Sequence, residues 1–349
     1  MLCVPGMRIG HSWLALLLAV SSACAVDGET DDPVGGKADS PDSEDNPAVP
    51  SGVPADYPIV LVHGFNASPE RNGFGPEVVA ALCGDGHAVF APALPPFASV
   101  ETRSQALAEA VDAALAGAAD DCGVTPDAPP AKVNLIAHSM GGLDARFLVA
   151  SLGYGDRVAT VTTISTPHRG SAMADMSLGL LGAIDDDALR DFAAYLAHPL
   201  GSDPGELDPD MRAAFTALAE ATAFDFNLAN PDDDRVDYES WAGLSNVAGV
   251  ANPQDLPACE FKMSLFPASL ARHKMHILLK AIAFVVAHRL DLRPNDGLVQ
   301  VESAKWGTFR GCLPADHMDE VGAADVSLTP FDYIRFLRNR AFELADRGF

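Results

Sequence analysis

Short apolar runs alternate with amphipathic stretches through the middle of the chain. The apolar runs predict buried strands and are residues 58–62, 88–91, 132–137 and 158–164. Residues 104–115 and 143–150 repeat apolar side chains at helical spacing, which predicts helices. Strands that alternate with helices are typical of the α/β class, in which a mostly parallel central sheet carries helices on both faces.

Two later segments depart from this alternation. Residues from about 172 to 235 are rich in alanine, leucine and aspartate and contain only small apolar clusters. We interpret them as a helical insertion over the active edge of the sheet, a candidate lid. Residues 271–290 predict a long helix whose apolar run is interrupted by Lys280, so it is too polar to span a membrane.

The N-terminus predicts export from the cytoplasm. Arg8 lies in a short leading segment, residues 13–20 form an uncharged apolar run, and small residues precede Cys24. This pattern is typical of a signal peptide over residues 1–24, followed by a secreted or extracytoplasmic protein. Cys24 is also a candidate lipid anchor, which would make the protein an outer-membrane lipoprotein.

The segment that follows differs sharply in composition. Residues 25–55 are acidic and nearly free of large apolar side chains, which predicts a disordered linker. The folded domain is therefore expected over residues 56–349, with the candidate lid inside it. Its apolar runs are enough to build a sizeable core, because 48% of the whole chain is hydrophobic.

Charge and cysteine content narrow the choice of partners and compartment. The chain has 23 basic and 48 acidic residues, a formal net charge of −25, which argues against nucleic acid as a partner. Two of the six cysteines fall in the signal region, and four remain for an oxidising compartment. Four cysteines allow three pairings. Proximity along the chain favours Cys83–Cys122 and Cys259–Cys312, and buried free thiols are the alternative.

Residues 137–141, Ala-His-Ser-Met-Gly, join a predicted strand directly to a predicted helix. A serine hydroxyl needs a base and a position clear of the sheet before it can attack a carbonyl group. A strained turn gives that position, and small residues two before and two after the serine let strand and helix approach each other. Ala137 replaces the usual first glycine, a change of one methyl group. The pattern predicts Ser139 as a nucleophile, against the alternative of a buried structural serine.

The tetrahedral intermediate of acyl transfer needs two backbone N–H groups around its oxyanion. We expect one from Met140, directly after the nucleophile. The other is expected from Phe65 in the His-Gly-Phe segment that follows the first predicted strand, although that segment is also typical of an ordinary turn.

The base and the acid are predicted from their order along the chain. Hydrolases with a strand–turn–helix serine place the acid next and the histidine last. Of the ten histidines, His317 lies in a polar loop near the C-terminus and fits this order, whereas His138 is interpreted as a packed residue that points away from the serine. Asp296, on an Asp-Gly turn, is the predicted acid. Asp291 is the fallback.

As a set, these residues resemble the triacylglycerol lipases of the Pseudomonas and Burkholderia type, which have the α/β-hydrolase fold. The segments that match the family, in the same order along the chain, are residues 57–65, 132–146, 164–171, 240–243, 295–299 and 317–321. It implies hydrolysis of long-chain acylglycerol esters, a mobile helical lid and binding at a lipid interface. It also implies that Arg103 braces the oxyanion loop.

The resemblance further implies a structural calcium ion near the catalytic histidine, although the chemistry requires no cofactor. Asp319 matches one family ligand and Asp255 is the candidate for the second, but Ala323 stands where the family has glutamine. The family disulfide has no counterpart just after the acid, and a Cys259–Cys312 bridge would instead clamp the loop that carries Asp296.

The expected partner is a lipid or ester substrate at an interface, and a dedicated folding chaperone is a further candidate partner. Alternatives within the same chemistry are a short-chain esterase and a polyester depolymerase. A rival of another class is a non-catalytic lipid-binding surface protein.

Overall fold

The computed structural model describes residues 50–69, 73–179, 210–247, 252–263, 275–288, 291–322 and 331–349. The predicted signal peptide and all but the end of the predicted linker lie outside these residues. Half of the candidate lid and the start of the helix predicted over 271–290 also lie outside them. No helix among the described residues is long and apolar enough to cross a membrane.

Strands and helices alternate through the first half of the domain. In chain order these elements are β1 (Ile59–Val62), α1 (Pro76–Gly84), β2 (Val89–Phe90), α2 (Val100–Leu115), β3 (Val133–His138), α3 (Gly141–Ala150) and β4 (Val158–Ile164). The strands predicted from apolar runs therefore form, and α2 begins at the cap Ser99, whose hydroxyl accepts a hydrogen bond from the N–H of Thr102.

The second half supplies the remaining strands and the helices near the site. Its elements are α4 (Ala172–Ser177), α5 (Met211–Leu218), α6 (Glu220–Ala229), β5 (Asp237–Gly243), α7 (Asp255–Ala258), α8 (Ile277–Val286), α9 (Val301–Ala304), β6 (Thr308–Leu313) and α10 (Tyr333–Asp346). The described parts of the insertion are helical up to Ala229. Its role as a lid stays a prediction.

The six strands form one sheet in the order β2-β1-β3-β4-β5-β6, and every pair of neighbours is parallel. Alternate residues of β1 pack on opposite faces. Ile59 and Leu61 join a core cluster with α1 and α10, whereas Val60 and Val62 join another with α2 and α3. The predicted α/β class, with a parallel sheet and helices on both faces, is therefore confirmed.

Two disulfide bonds cross-link the domain, Cys83–Cys122 and Cys259–Cys312. Both are the pairings that proximity favoured. The first ties α1 to the loop after α2. The second ties the end of α7 to β6, the strand that leads into the loop of His317.

Replacing Cys259 and Cys312 together by serine should lower the free energy of unfolding by about 2–5 kcal/mol, because the bridge restricts an unfolded loop of 53 residues. Urea denaturation measures this change. The matched control replaces Cys83 and Cys122, which should cost a similar free energy since their separation is 39 residues. Only the Cys259/Cys312 variant should also lower hydrolytic turnover, because this bridge holds β6, the strand that leads into the loop of His317. Equal turnover in the two variants would show that the bridge does not position that loop.

Candidate active site

Ser139 occupies a sharp turn between β3 and α3. Its φ angle is 55°, in the left-handed region that costs a non-glycine residue conformational energy. Its N–H donates to the carbonyl of Ile164 at 2.9 Å. Gly141 makes the turn possible, because a β-carbon there would lie 2.3 Å from the carbonyl oxygen of Val62. The sequence pattern around Ser139 thus reflects close contact between β1, β3 and α3.

One imidazole contacts both the serine and the predicted acid. His317 lies in the loop after β6, and its Nε2 is 2.9 Å from Oγ of Ser139. Its Nδ1 is 2.8 Å from Oδ2 of Asp296, and its backbone N–H donates to the carbonyl of Asp296 at 3.0 Å. His317 and Asp296 are both buried. The structure thus brings together three residues that are up to 178 positions apart.

Asp296 is held rigidly by its own turn. Its second carboxylate oxygen, Oδ1, accepts hydrogen bonds from the N–H groups of Leu298 at 2.8 Å and Val299 at 2.7 Å. Gly297 has a φ of +104°, which other residues rarely adopt. The fallback acid, Asp291, instead lies at the surface and pairs with Arg293 at 3.3 Å. Asp296 alone of these two carboxylates contacts the imidazole.

The loop of residues 63–65 packs directly on the nucleophile. A β-carbon on Gly64 would lie 2.8 Å from Cβ of Ser139 and 3.3 Å from its Oγ. In the described part of the chain, no carbonyl accepts the N–H of Phe65 or of Met140. Met140 directly follows the serine and Phe65 directly follows Gly64, so both predicted oxyanion donors lie in segments that pack at the nucleophile, and their role stays a prediction.

Buried polar contacts hold this loop in place. Arg103 is fully buried and donates from Nη2 to the carbonyl of His63 at 2.6 Å and from Nε to Asp144 at 2.8 Å. The Nε2 of His63 accepts the N–H of Leu94 at 2.9 Å. Burial, together with the charge of Arg103, lowers the pKa of His63 to about 3, so its imidazole stays neutral. Arg103 contacts the oxyanion loop, as the resemblance implies.

Exchanging Gly64 for alanine should lower kcat/KM on an ester by about 10²–10³-fold, the usual effect of losing one oxyanion donor. The added methyl group overlaps Cβ of Ser139, so the loop must move away from the serine. Steady-state kinetics measure the effect. The matched control is Gly84→Ala at the end of α1, where a new β-carbon meets nothing within 4 Å and turnover should be unchanged. Unaltered kinetics in the Gly64 variant would show that the loop does not bind the oxyanion.

Sequence reasoning missed a buried pair behind the imidazole. His138 does not point away from the site, because its ring centroid lies 4.6 Å from that of His317. Its Nε2 is 3.2 Å from Oε2 of Glu320, while Oε1 of Glu320 accepts the hydroxyl of Ser165 at 2.7 Å. The position of Glu320, three residues after His317, is the only signal that the sequence gives for this contact.

Burial sets the protonation of this pair. It raises the pKa of Glu320 well above its ordinary value, and the negative charge of Asp296 raises it further. Burial likewise lowers the pKa of His138 well below its ordinary value, with the charge of His317 acting in the same direction. Burial thus favours the neutral form of both side chains.

The predicted calcium ligands are Asp255 and Asp319. Both are buried, but among the described residues neither belongs to a group of three side chains placed to hold an ion. The carboxylate of Asp255 instead accepts the N–H of Asn252 at 2.8 Å. Calcium needs six to eight oxygen ligands. Calcium binding thus stays a prediction.

A nucleophilic serine, a histidine and an aspartate at the carboxyl edge of a parallel sheet define a serine hydrolase. The chain belongs to the alpha/beta hydrolase family, whose model matches residues 59–317.

Relatives within this family confirm the resemblance to bacterial lipases. Triacylglycerol lipase 2 of Saccharomyces cerevisiae is 32% identical over 68% of this chain and 58% of its own length. A triacylglycerol lipase of Vibrio cholerae is 28% identical over 84% of this chain and 88% of its own. A triacylglycerol lipase of Burkholderia plantarii is 31% identical over 53% of this chain and 52% of its own length. The match therefore spans only about half the length of some relatives.

A solved structure shows the same fold at lower identity. The metagenomic carboxyl esterase MGS0156 superimposes with a TM-score of 0.57, at 16% identity, and the match covers 99% of this chain and 97% of that one. At this identity the similarity supports the fold alone.

Proposed function

We propose that the protein hydrolyses carboxylic esters of lipids, triacylglycerols above all, through a covalent acyl-enzyme. The observation that carries this proposal is the position of His317 between two partners. It lies 2.9 Å from the hydroxyl of Ser139 on one side and 2.8 Å from the carboxylate of Asp296 on the other.

Acylation uses each of these groups in turn. Oγ of Ser139 attacks the carbonyl carbon of the ester while Nε2 of His317 takes the hydroxyl proton. Asp296 holds Nδ1–H of the ring and stabilises the imidazolium that forms. The N–H groups of Phe65 and Met140 bind the oxyanion. The carbon–oxygen bond to the alcohol then breaks, and His317 gives its proton to the leaving alcohol.

Deacylation repeats the sequence with water as the nucleophile. His317 takes a proton from the water, whose oxygen attacks the acyl carbon, and the same two N–H groups bind the second oxyanion. The proton returns to Oγ of Ser139 as the carboxylic acid leaves.

The apolar surroundings of the oxyanion loop support a lipid substrate. The ring of Phe65 lies 5.1 Å from that of Phe215 on α5 and 5.3 Å from that of Phe97. Met140 packs in the same cluster, together with residues of α4, α5 and α8. An apolar environment beside the predicted oxyanion donors suits an ester with an apolar acyl chain better than one with a charged chain. The relatives described above carry the name triacylglycerol lipase.

Two assays test the proposal. A fluorophosphonate probe should label the protein and should not label a folded Ser139→Ala variant. Absence of labelling in well-folded protein would favour the non-catalytic lipid-binding alternative. Rates on emulsified long-chain and dissolved short-chain esters then test the substrate. A strict preference for dissolved butyrate esters would contradict a lipase and favour a short-chain esterase, and a preference for a polyester film would favour a depolymerase.

We further propose that the protein is exported and acts outside the cytoplasm. The apolar run at residues 13–20 and the two disulfide bonds support this location. Intact-mass measurement of the mature protein tests it. Removal of about 24 residues supports cleavage, added lipid mass supports an anchor at Cys24, and an uncleaved chain in the cytoplasm would contradict export.

A further inference from the structure

Two ligating atoms are left without hydrogen-bond partners directly behind the catalytic histidine. Nε2 of His138 and Oε2 of Glu320 are both buried, and neither makes a hydrogen bond of good geometry. They face each other at 3.2 Å. Buried polar atoms are rarely left in this state, because each unsatisfied group costs free energy.

A third ligating group completes the arrangement. Ligand atoms of His138, His317 and Glu320 all lie within 4.8 Å of one another, and this is the one such group among the described residues. We propose that these three side chains form an inhibitory site for a divalent transition-metal ion such as Zn²⁺.

The distances suit a small tetrahedral ion. Zinc binds imidazole nitrogen and carboxylate oxygen at about 2.0–2.2 Å, so two of its ligands lie about 3.3–3.5 Å apart. The 3.2 Å between His138 and Glu320 is close to that separation before any adjustment. The ligand atom of His317 lies within 4.8 Å of the other two, so its ring must move toward the ion, which leaves a fourth position open for water.

The type of ligand selects the type of metal. Two imidazoles and one carboxylate suit zinc or copper, whereas calcium and magnesium prefer oxygen ligands alone. The surrounding charge also favours a cation. Asp296, Asp316 and Asp319 all act on Glu320 with their negative charge. No lysine or arginine in the described part of the chain pairs with Glu320.

Metal binding here removes the catalytic base. A neutral histidine has a single lone pair on its ring, and catalysis needs that lone pair on Nε2 to accept the proton of Ser139. A metal at Nε2 occupies it directly. A metal at Nδ1 displaces Asp296 and forces the opposite tautomer. Either coordination leaves Ser139 without a base, so binding and inhibition have the same stoichiometry of one ion per chain.

The test measures binding and inhibition separately. Isothermal titration calorimetry with ZnCl₂ reports binding to metal-free protein and does not depend on any hydrolytic activity. Ester hydrolysis reports inhibition, expressed against each protein's own metal-free rate. The inhibition experiment rests on the proposed function, whereas the calorimetry does not. Failure of hydrolysis and failure of the metal site are therefore distinguishable.

Glu320→Gln removes the charged ligand and keeps an oxygen that can accept the hydroxyl of Ser165. It should weaken Zn²⁺ binding and raise the inhibitory concentration by at least about tenfold. The matched control is Glu302→Gln, because Glu302 is an exposed glutamate that pairs with Lys305. This variant should bind Zn²⁺ and be inhibited by it as the wild type is. His138→Gln provides a second variant if Glu320→Gln unfolds at a lower temperature than the assay allows.

Three results support the site together: one Zn²⁺ bound per wild-type chain, inhibition that EDTA reverses, and loss of both in the Glu320 and His138 variants. The proposal is overturned if wild type and variants bind Zn²⁺ equally. It is also overturned if Ca²⁺ inhibits at the same concentration as Zn²⁺. Calcium prefers oxygen ligands alone, so inhibition by both ions would point to a different site.

Discussion

Replacing Ser139 by alanine is expected to lower kcat on an ester substrate by at least about 10⁴-fold, with little change in the temperature of unfolding. The hydroxyl is the atom that becomes acylated, so no neighbouring group can replace it. The oxyanion donors and the binding site remain, and they alone can supply a small residual rate over water.

Steady-state kinetics on an emulsified ester, with circular dichroism for the fold, measure this effect. Ser151→Ala is the matched control, because its hydroxyl also makes one hydrogen bond, to Asn230, but lies at the end of α3. A Ser139 variant that keeps a tenth of the wild-type rate would show that another residue carries the acyl group.

Exchanging Asp296 for asparagine should lower kcat by about 10⁴-fold, the loss seen when a triad aspartate becomes an amide. The turn itself should survive, since an amide oxygen can still accept the N–H groups of Leu298 and Val299. The amide nitrogen then faces Nδ1 of His317, which favours the tautomer with its proton on Nε2. That tautomer cannot accept the proton of Ser139.

The matched control for this exchange is Asp291→Asn. Asp291 has the same side chain five residues earlier, is exposed, and contacts Arg293 rather than the imidazole. It should retain full activity. If the Asp296 variant keeps most of its activity while the Asp291 variant loses it, the acid has been assigned to the wrong carboxylate.

The nucleophile was the most predictable part of the site because its signal is local. The turn at Ser139 requires small residues where α3 meets β1, and these small residues all fall within five positions of the sequence. The acid and the base were predicted only through their order along the chain. That order left Asp291 as an alternative, and the direct contact between Asp296 and His317 decides between them.

Other features have no local signal. His138 was interpreted as pointing away from the serine, yet its ring packs against that of His317 and its Nε2 faces Glu320. The ring of Phe215 packs against that of Phe65, although 150 residues separate the two along the chain. The apolar runs of the first half predicted four strands, but β5 and β6 carry mixed polar sequences and emerged only as partners in the sheet.

The sequence by itself determined the class of the fold and the identity of the nucleophile, because continuous apolar runs and the small residues of a strained turn are visible within a few neighbouring positions. Tertiary structure decided between Asp296 and Asp291 as the carboxylate that reaches the imidazole, and it placed His138 and Glu320 behind that ring. Those choices depend on contacts between segments that are distant along the chain, and such contacts exist only after the sheet has brought the ends of its strands to one edge.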